Sequence, residues 1–288
     1  MTRPALRFVE VGPRDGLQTA GAAVSTDVKV AFVDRLSASG LREIEAGAFV
    51  SARDVPEMAD SAQVFARIAR RPGVVYSALV PNGKGLERAL AAGAGKIAVF
   101  TAASETFNRK NIRASIAESI ERFKPVVAGA RAAGLPLRAY VSTAFVCPYE
   151  GKIKPAAVVD VVRRLEDLGV DEHSIGDTVG RASTDDVRRL LDALLKAVPV
   201  ERIFLHLHDT YGMAVANALV AWESYGVSGF DASTGGVGGC PYAPGAPGNV
   251  AMEDLVSAFH ASGGVTKVDV KALQAAAKML SAAMGQMK

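Results

Sequence analysis

Two cysteines and a single tryptophan are all that 288 residues contain. Cys147 and Cys240 stand far apart, so no disulfide framework is implied, which fits a reducing compartment. No apolar run is long enough to span a bilayer, and MTRPA passes straight into LRFVEVG without a signal or transit pattern; a cytoplasmic protein is expected. Charge of one sign is also scarce. Lys and Arg number 33 against 30 acids, and a formal charge of +3 is too mild to announce a nucleic-acid or membrane partner. The basic clusters at Arg67 to Arg71, Arg163 and Arg188 fall in helical patterns and read as solvated faces. Low-complexity segments and linkers are missing too, so one domain over 1–288 is expected.

What is present is a rhythm. Short β-rich apolar segments occur at Leu6 to Gly12, Arg42 to Ala48, Val74 to Val80, Lys96 to Phe100, Leu137 to Thr143, Glu172 to Thr178, Ile203 to Asp209 and Gly229 to Gly235. Between them lie stretches of helical period such as VVDVVRRLEDLG and TDDVRRLLDALLKAV. Eight such β/α beats predict an α/β fold of the (β/α)8 barrel type, with a further C-terminal helix beyond the eighth. A doubly wound sheet is the alternative, but no GxGxxG follows the first strand. Ser25/Thr26 is placed to cap the first helix, and Gly40, Gly134 and Gly169 to end helices.

A barrel of this kind carries its chemistry where strands end and loops begin. Arg14 and Asp15 follow the first strand, Glu45 lies late in the second, Asp177 late in the sixth, His206 and His208 in the seventh, and Cys240 just past the eighth. Residues at i and i+2 of a strand share a face, so HLH points both imidazoles the same way. With only four histidines in the chain, that pair suggests a divalent cation with exchangeable positions. Asp15 is the natural third ligand across the barrel mouth, and Asn249 could add a carbonyl oxygen. Arg14, in a Gly/Pro-bounded loop, suits stabilisation of a developing oxyanion. Glu45 would be costly to bury unpaired, and Arg14 is its obvious partner. Cys240 sits in GGVGGCPYAPGAPGN, a loop whose glycines let backbone approach a ligand, and a proton-transfer or substrate-contact role is expected for it.

These residues and the motifs around them resemble the 3-hydroxy-3-methylglutaryl-CoA lyase family of the DRE-TIM metallolyase superfamily. The resemblance runs nearly end to end, through VEVGPRDGLQ, AFVSARDVPEMAD, AASETFNRKNI, VSTAFVCPYEGK, SIGDTVG, HLHDTYGMAVAN and the cysteine loop. It implies a metal-dependent retro-Claisen lyase releasing acetyl-CoA and acetoacetate, with the metabolic setting of leucine degradation and ketone body formation. It also implies Mg²⁺ or Mn²⁺ on Asp15, His206, His208 and Asn249, and a homodimer. Arg14 would contact the reacting acyl oxygens, Glu45 would support it, Asp177 would join the acid/base network, and Cys240 would lie on a loop closing over substrate. His206 or a carboxylate is the candidate base. Gln18 and Gly239 would touch the acyl-CoA substrate.

The match thins after RDGLQ, where the family usually places a lysine near the position of Gly21. Lys84 or Lys110 is expected to compensate. Gly83, Met213 and Met252 also depart from the family's usual residues. The same chemistry on a different 3-hydroxy-3-alkyl acyl-CoA is therefore an alternative, and a related metal-dependent aldolase or a catalytically silent metal-binding barrel stands further off.

Overall fold

The computed structural model describes residues 5–20, 23–239 and 248–285. Beside a short antiparallel ribbon of Val146–Cys147 and Gly151–Lys152, its barrel strands are β1 (Arg7–Glu10), β2 (Glu43–Ala48), β3 (Val75–Leu79), β4 (Lys96–Ala102), β5 (Leu137–Ser142), β6 (Glu172–Asp177), β7 (Ile203–Leu207) and β8 (Gly229–Ala232). All are parallel, each pairs with its neighbours in sequence, and β1 closes on β8 by setting Arg7 beside Gly229 and Glu10 beside Ala232. The (β/α)8 barrel expected from the sequence is thus the fold observed. Every strand overlaps its expected segment. β1 stops short of Gly12 because Gly12–Gly16 winds into one wide helical turn, in which the N–H groups of Asp15 and Gly16 both donate to the Val11 carbonyl.

Helices start where a hydroxyl can satisfy free N–H groups. Ser25 accepts from Val28 at the head of Thr26–Ala38, and Ser115 and Ser183 form reciprocal capping boxes with Glu118 and Asp186. Gly169 ends the helix Pro155–Leu168 at φ 92°, a conformation that favours glycine. After β8, Met252–Ala261 completes the ring, and Val270–Gly285 packs against Thr26–Ala38. Among the described residues, no helix is long and apolar enough to cross a membrane.

The core lies between strands and helices, where Phe32, Phe123, Leu190, Leu255 and Phe259 are buried. Each such side chain contributes about 1.5–3 kcal/mol of transfer free energy. Arg67, Arg70, Arg71, Arg163 and Arg188 are exposed, as solvated faces should be. Inside the barrel, Val9, Val11 and Phe204 cluster. Near the amino ends of the strands, buried Lys96 lies 2.9 Å from Glu43 and 2.5 Å from Glu172, with Arg7 3.8 Å from Glu172. Because the strands are parallel, their carboxyl ends share the opposite rim, and the reactive residues gather there.

Candidate metal centre and cleft

A cavity of about 260 Å³ opens at that rim, lined by Arg14, Asp15, Gln18, His206, His208 and Gly239 on one side. Val50, Leu79, Phe100 and Phe107 form an apolar wall opposite. His206 is on β7 and His208 just beyond it, where its backbone bridges to Asn249. The alternation of β7 aims both rings inward, with centroids 5.4 Å apart. One ligand-capable atom each from Asp15, His206 and His208 lies within 4.8 Å of the other two, and His206 Nε2 is 3.8 Å from Asp15 Oδ2. Asn249 Nδ2 donates to Asp15 Oδ2 at 2.9 Å, which places its amide at the edge of the cluster.

Arg14 is buried beside them. Its Nε donates to Glu45 Oε2 at 2.5 Å and its Nη1 to Asp15 Oδ1 at 2.7 Å, the pairing with Glu45 that the sequence suggested. Among the described residues Nη2 has no protein acceptor, so a donor is left for a ligand oxygen in the cleft. Tyr140 holds the group from below: its hydroxyl donates to Glu45 Oε2 at 3.1 Å, and its ring centroid is 5.0 Å from the Arg14 guanidinium carbon.

These contacts set protonation. Burial pushes the Asp15 carboxyl up, but Arg14, His206 and His208 together pull it well below the usual carboxylate range. Burial, then the neighbouring His206, lowers His208 to about 4. Burial opposes charge on Arg14, yet Glu45 and Asp15 raise it above its ordinary value. The result at neutral pH is an ionised carboxylate beside a neutral His208 imidazole, the donor state a divalent cation requires. The donor set thus fits the group expected: mixed O/N ligation, no thiolate among the described residues, and one anionic charge beyond what Arg14 balances.

The described residues bring together Arg14, Asp15, Gln18, Glu45, His206, His208, Gly239 and Asn249. They do not bring in Asp177. On β6 the alternation gives Ser174 and Gly176 to the cleft, leaving Asp177 on the other face, where its carboxylate accepts from the N–H groups of Arg181 and Ala182. Burial raises its carboxyl to about 6, against the pull of the N–H groups of the turn after β6. Lys84 is exposed and Lys110 lies with Nζ 4.1 Å from the Tyr149 ring; neither lines the cleft. Cys240 and Gly21 lie outside the described residues. Gly83, Met213 and Met252 are also not among the lining residues.

Three residues that sequence reasoning passed over belong here. Tyr140 and Asp231 point into the barrel, and the first was readable in principle from the inward alternation of RAYVS. Glu10 faces the other way. Buried on β1, it accepts from the N–H of Gly12 and from the N–H and hydroxyl of Thr234, tying the loop after β1 to the loop after β8.

Comparison with known proteins decides the lineage. The family model described as HMGL-like matches residues 5–280. The chain belongs to the HMGL-like family. Relatives of this HMGL-like chain include the mitochondrial hydroxymethylglutaryl-CoA lyase of Gallus gallus, 50% identical over 93% of this chain and 90% of that protein. Another, from Pseudomonas aeruginosa, is a 3-hydroxy-3-isohexenylglutaryl-CoA/hydroxy-methylglutaryl-CoA lyase, 48% identical over 98% of this chain and 93% of that one. The crystal structure of the hydroxymethylglutaryl-CoA lyase from Pseudomonas aeruginosa superposes with a TM-score of 0.96 at 47% identity, covering 99% of this chain and 95% of the other.

Proposed function

We propose that this chain is a single-domain, cytoplasmic, homodimeric lyase cleaving 3-hydroxy-3-methylglutaryl-CoA to acetyl-CoA and acetoacetate by a retro-Claisen reaction. The observation that carries the reading is the juxtaposition of Asp15, His206 and His208 with the unspent Nη2 of Arg14 in one cleft. A retro-Claisen cleavage needs a tertiary hydroxyl deprotonated, a C–C bond broken, and a thioester enolate stabilised and protonated. Asp15, His206, His208 and Asn249 would hold Mg²⁺ or Mn²⁺, which would supply the acidification of the hydroxyl.

The remaining steps fall to the chain. The hydroxyl proton passes to His206 Nε2 or, where that nitrogen is a ligand, to a carboxylate of the cleft, since one nitrogen cannot hold a cation and a proton together. Arg14 Nη2 donates to the thioester oxygen as enolate charge develops, and removal of one preorganised donor of this kind costs roughly 100- to 1,000-fold in rate. Glu45 and Tyr140 keep that guanidinium in place. Cys240 follows Gly239, a cleft-lining residue, and returns the proton to the enolate carbon or excludes water. Gln18 Oε1, buried without a partner among the described residues, is placed to accept from the substrate.

The second reading keeps this chemistry for a larger 3-alkyl group, and the apolar wall opposite the ligands favours it. Gly83, Met213 and Met252 do not bear on the choice, being away from the lining. The test strips the protein with chelator, restores Mg²⁺ or Mn²⁺, and follows acetoacetate release from 3-hydroxy-3-methylglutaryl-CoA, with Cys240→Ala alongside. Metal-dependent release on the order of 1 per second or faster, sharply reduced in the variant, is expected. No release at any metal concentration would reject this substrate.

A further inference from the structure

The geometry points to Asp231 as the positioning residue that fixes His206 as its Nδ1–H tautomer and so presents the Nε2 lone pair to the cleft. This rests on the reading of His206 as a site residue. Asp231 and His206 are register partners on adjacent strands β8 and β7, side by side on the inner face of the barrel. His206 Nδ1 is buried and, among the described residues, has no other polar partner, and Asp231 Oδ2 lies 3.4 Å from it. That is long for a hydrogen bond, and such contacts tighten when the other nitrogen is engaged.

Asp231 cannot turn away to satisfy itself elsewhere. Its Oδ1 accepts from Arg138 Nη2, and its Oδ2 accepts from Ser174 Oγ at 2.6 Å. Arg138 is itself buried and pressed between the rings of Tyr140 and Phe204, with centroids 5.2 and 4.4 Å from its guanidinium carbon. A carboxylate held ionised by a guanidinium is only an acceptor. Facing a bare Nδ1 lone pair it would be repelled; facing Nδ1–H it is satisfied. The tautomer follows, and Nε2, on the side of Asp15, is left as the donor of electrons. Asp231 itself is absent from the cleft lining, so it acts through His206 rather than on the substrate.

The test reads the tautomer directly, by ¹⁵N NMR of histidine-labelled, metal-free protein at a pH where His206 is neutral. Wild-type protein is expected to show His206 protonated at Nδ1. In Asp231→Asn the amide oxygen stays with Arg138 and its NH₂ turns to the ring, so the tautomer should invert to Nε2–H. Mg²⁺ affinity measured by calorimetry should then fall about 10- to 100-fold, the usual effect of losing such a partner. Ser174→Ala should keep the tautomer and lower affinity only a few-fold. A wild-type His206 protonated at Nε2 overturns the proposal without any variant, which keeps it testable should Asp231→Asn not fold. An unchanged tautomer with an unchanged Mg²⁺ constant in a folded Asp231→Asn also overturns it. Because neither readout uses substrate, failure of the proposed lyase activity would leave this result separately legible.

Discussion

Among the described residues, charge clusters at both ends of the barrel, with the buried Arg138–Asp231 pair between, and the two ends are built on opposite plans. At the amino ends of the strands, Lys96 and Arg7 face Glu43 and Glu172, two cations against two anions. At the carboxyl ends, Arg14 faces both Glu45 and Asp15, and the nearest further groups are two imidazoles. The lower cluster holds as many cations as anions; the upper one carries an anion in excess and, among the described residues, a guanidinium nitrogen without a protein acceptor. A buried surplus charge is expensive unless a partner arrives from outside. The contrast separates charge that holds the barrel together from charge that waits for a ligand.

The largest effect that would break this contrast is at the surplus anion. Asp15→Ala should abolish detectable metal binding by calorimetry and turnover with it, while stability in chelator falls only modestly, through loss of the anion that Arg14 holds. Lys96→Met should do the reverse. It strands Glu43 and Glu172, and breaking a buried pair costs about 3–5 kcal/mol. Denaturant unfolding should show that loss, while Mg²⁺ affinity of the folded fraction is unchanged. If Lys96→Met instead weakens metal binding as strongly as Asp15→Ala, the two ends are one electrostatic unit and the distinction fails.

A smaller effect concerns Glu10, which belongs to neither cluster. Burial raises its carboxyl from an ordinary 4.5 to about 7, against the pull of the Thr234 and Gly12 donors. The folded protein therefore binds a proton there that the unfolded chain has already released between those values. The contribution of Glu10 to stability is greatest below about pH 4.5 and is lost as pH rises through about 7, a loss of roughly 1–3 kcal/mol. Glu10→Gln should flatten that slope between pH 5 and 8 in denaturant titrations; an unaltered slope would assign the linkage to another group. Smallest of all should be the joint removal of charge at Lys84 and Lys110. Neither lines the cleft, so the Michaelis constant for the acyl-CoA substrate should change by less than about threefold. A rise beyond tenfold would restore them as contacts for the CoA phosphates.

Much of this was legible in the residues. Strand and helix periods located the eight β/α units, and HLH on one strand with RD after another marked the mouth, because i, i+2 spacing and loop position survive any detail of packing. Asp177 is not among the residues lining the cleft: β6 gives its inward face to Ser174 and Gly176, and the end of a strand does not announce which face its last side chain takes. Asp231 and Arg138 were invisible for a different reason. They lie 93 positions apart in the chain, and only closure of the barrel makes them partners. Glu10 carries no mark in the sequence that sets it apart from other strand residues, because the donors it serves, Gly12 and Thr234, meet only when the barrel closes.

The account stands most directly on where a cation binds. Crystals grown with Mn²⁺ and measured for its anomalous signal should show one strong peak bonded to Asp15, His206 and His208, with the Asn249 oxygen alongside. A peak elsewhere, or none at saturating Mn²⁺, would contradict it.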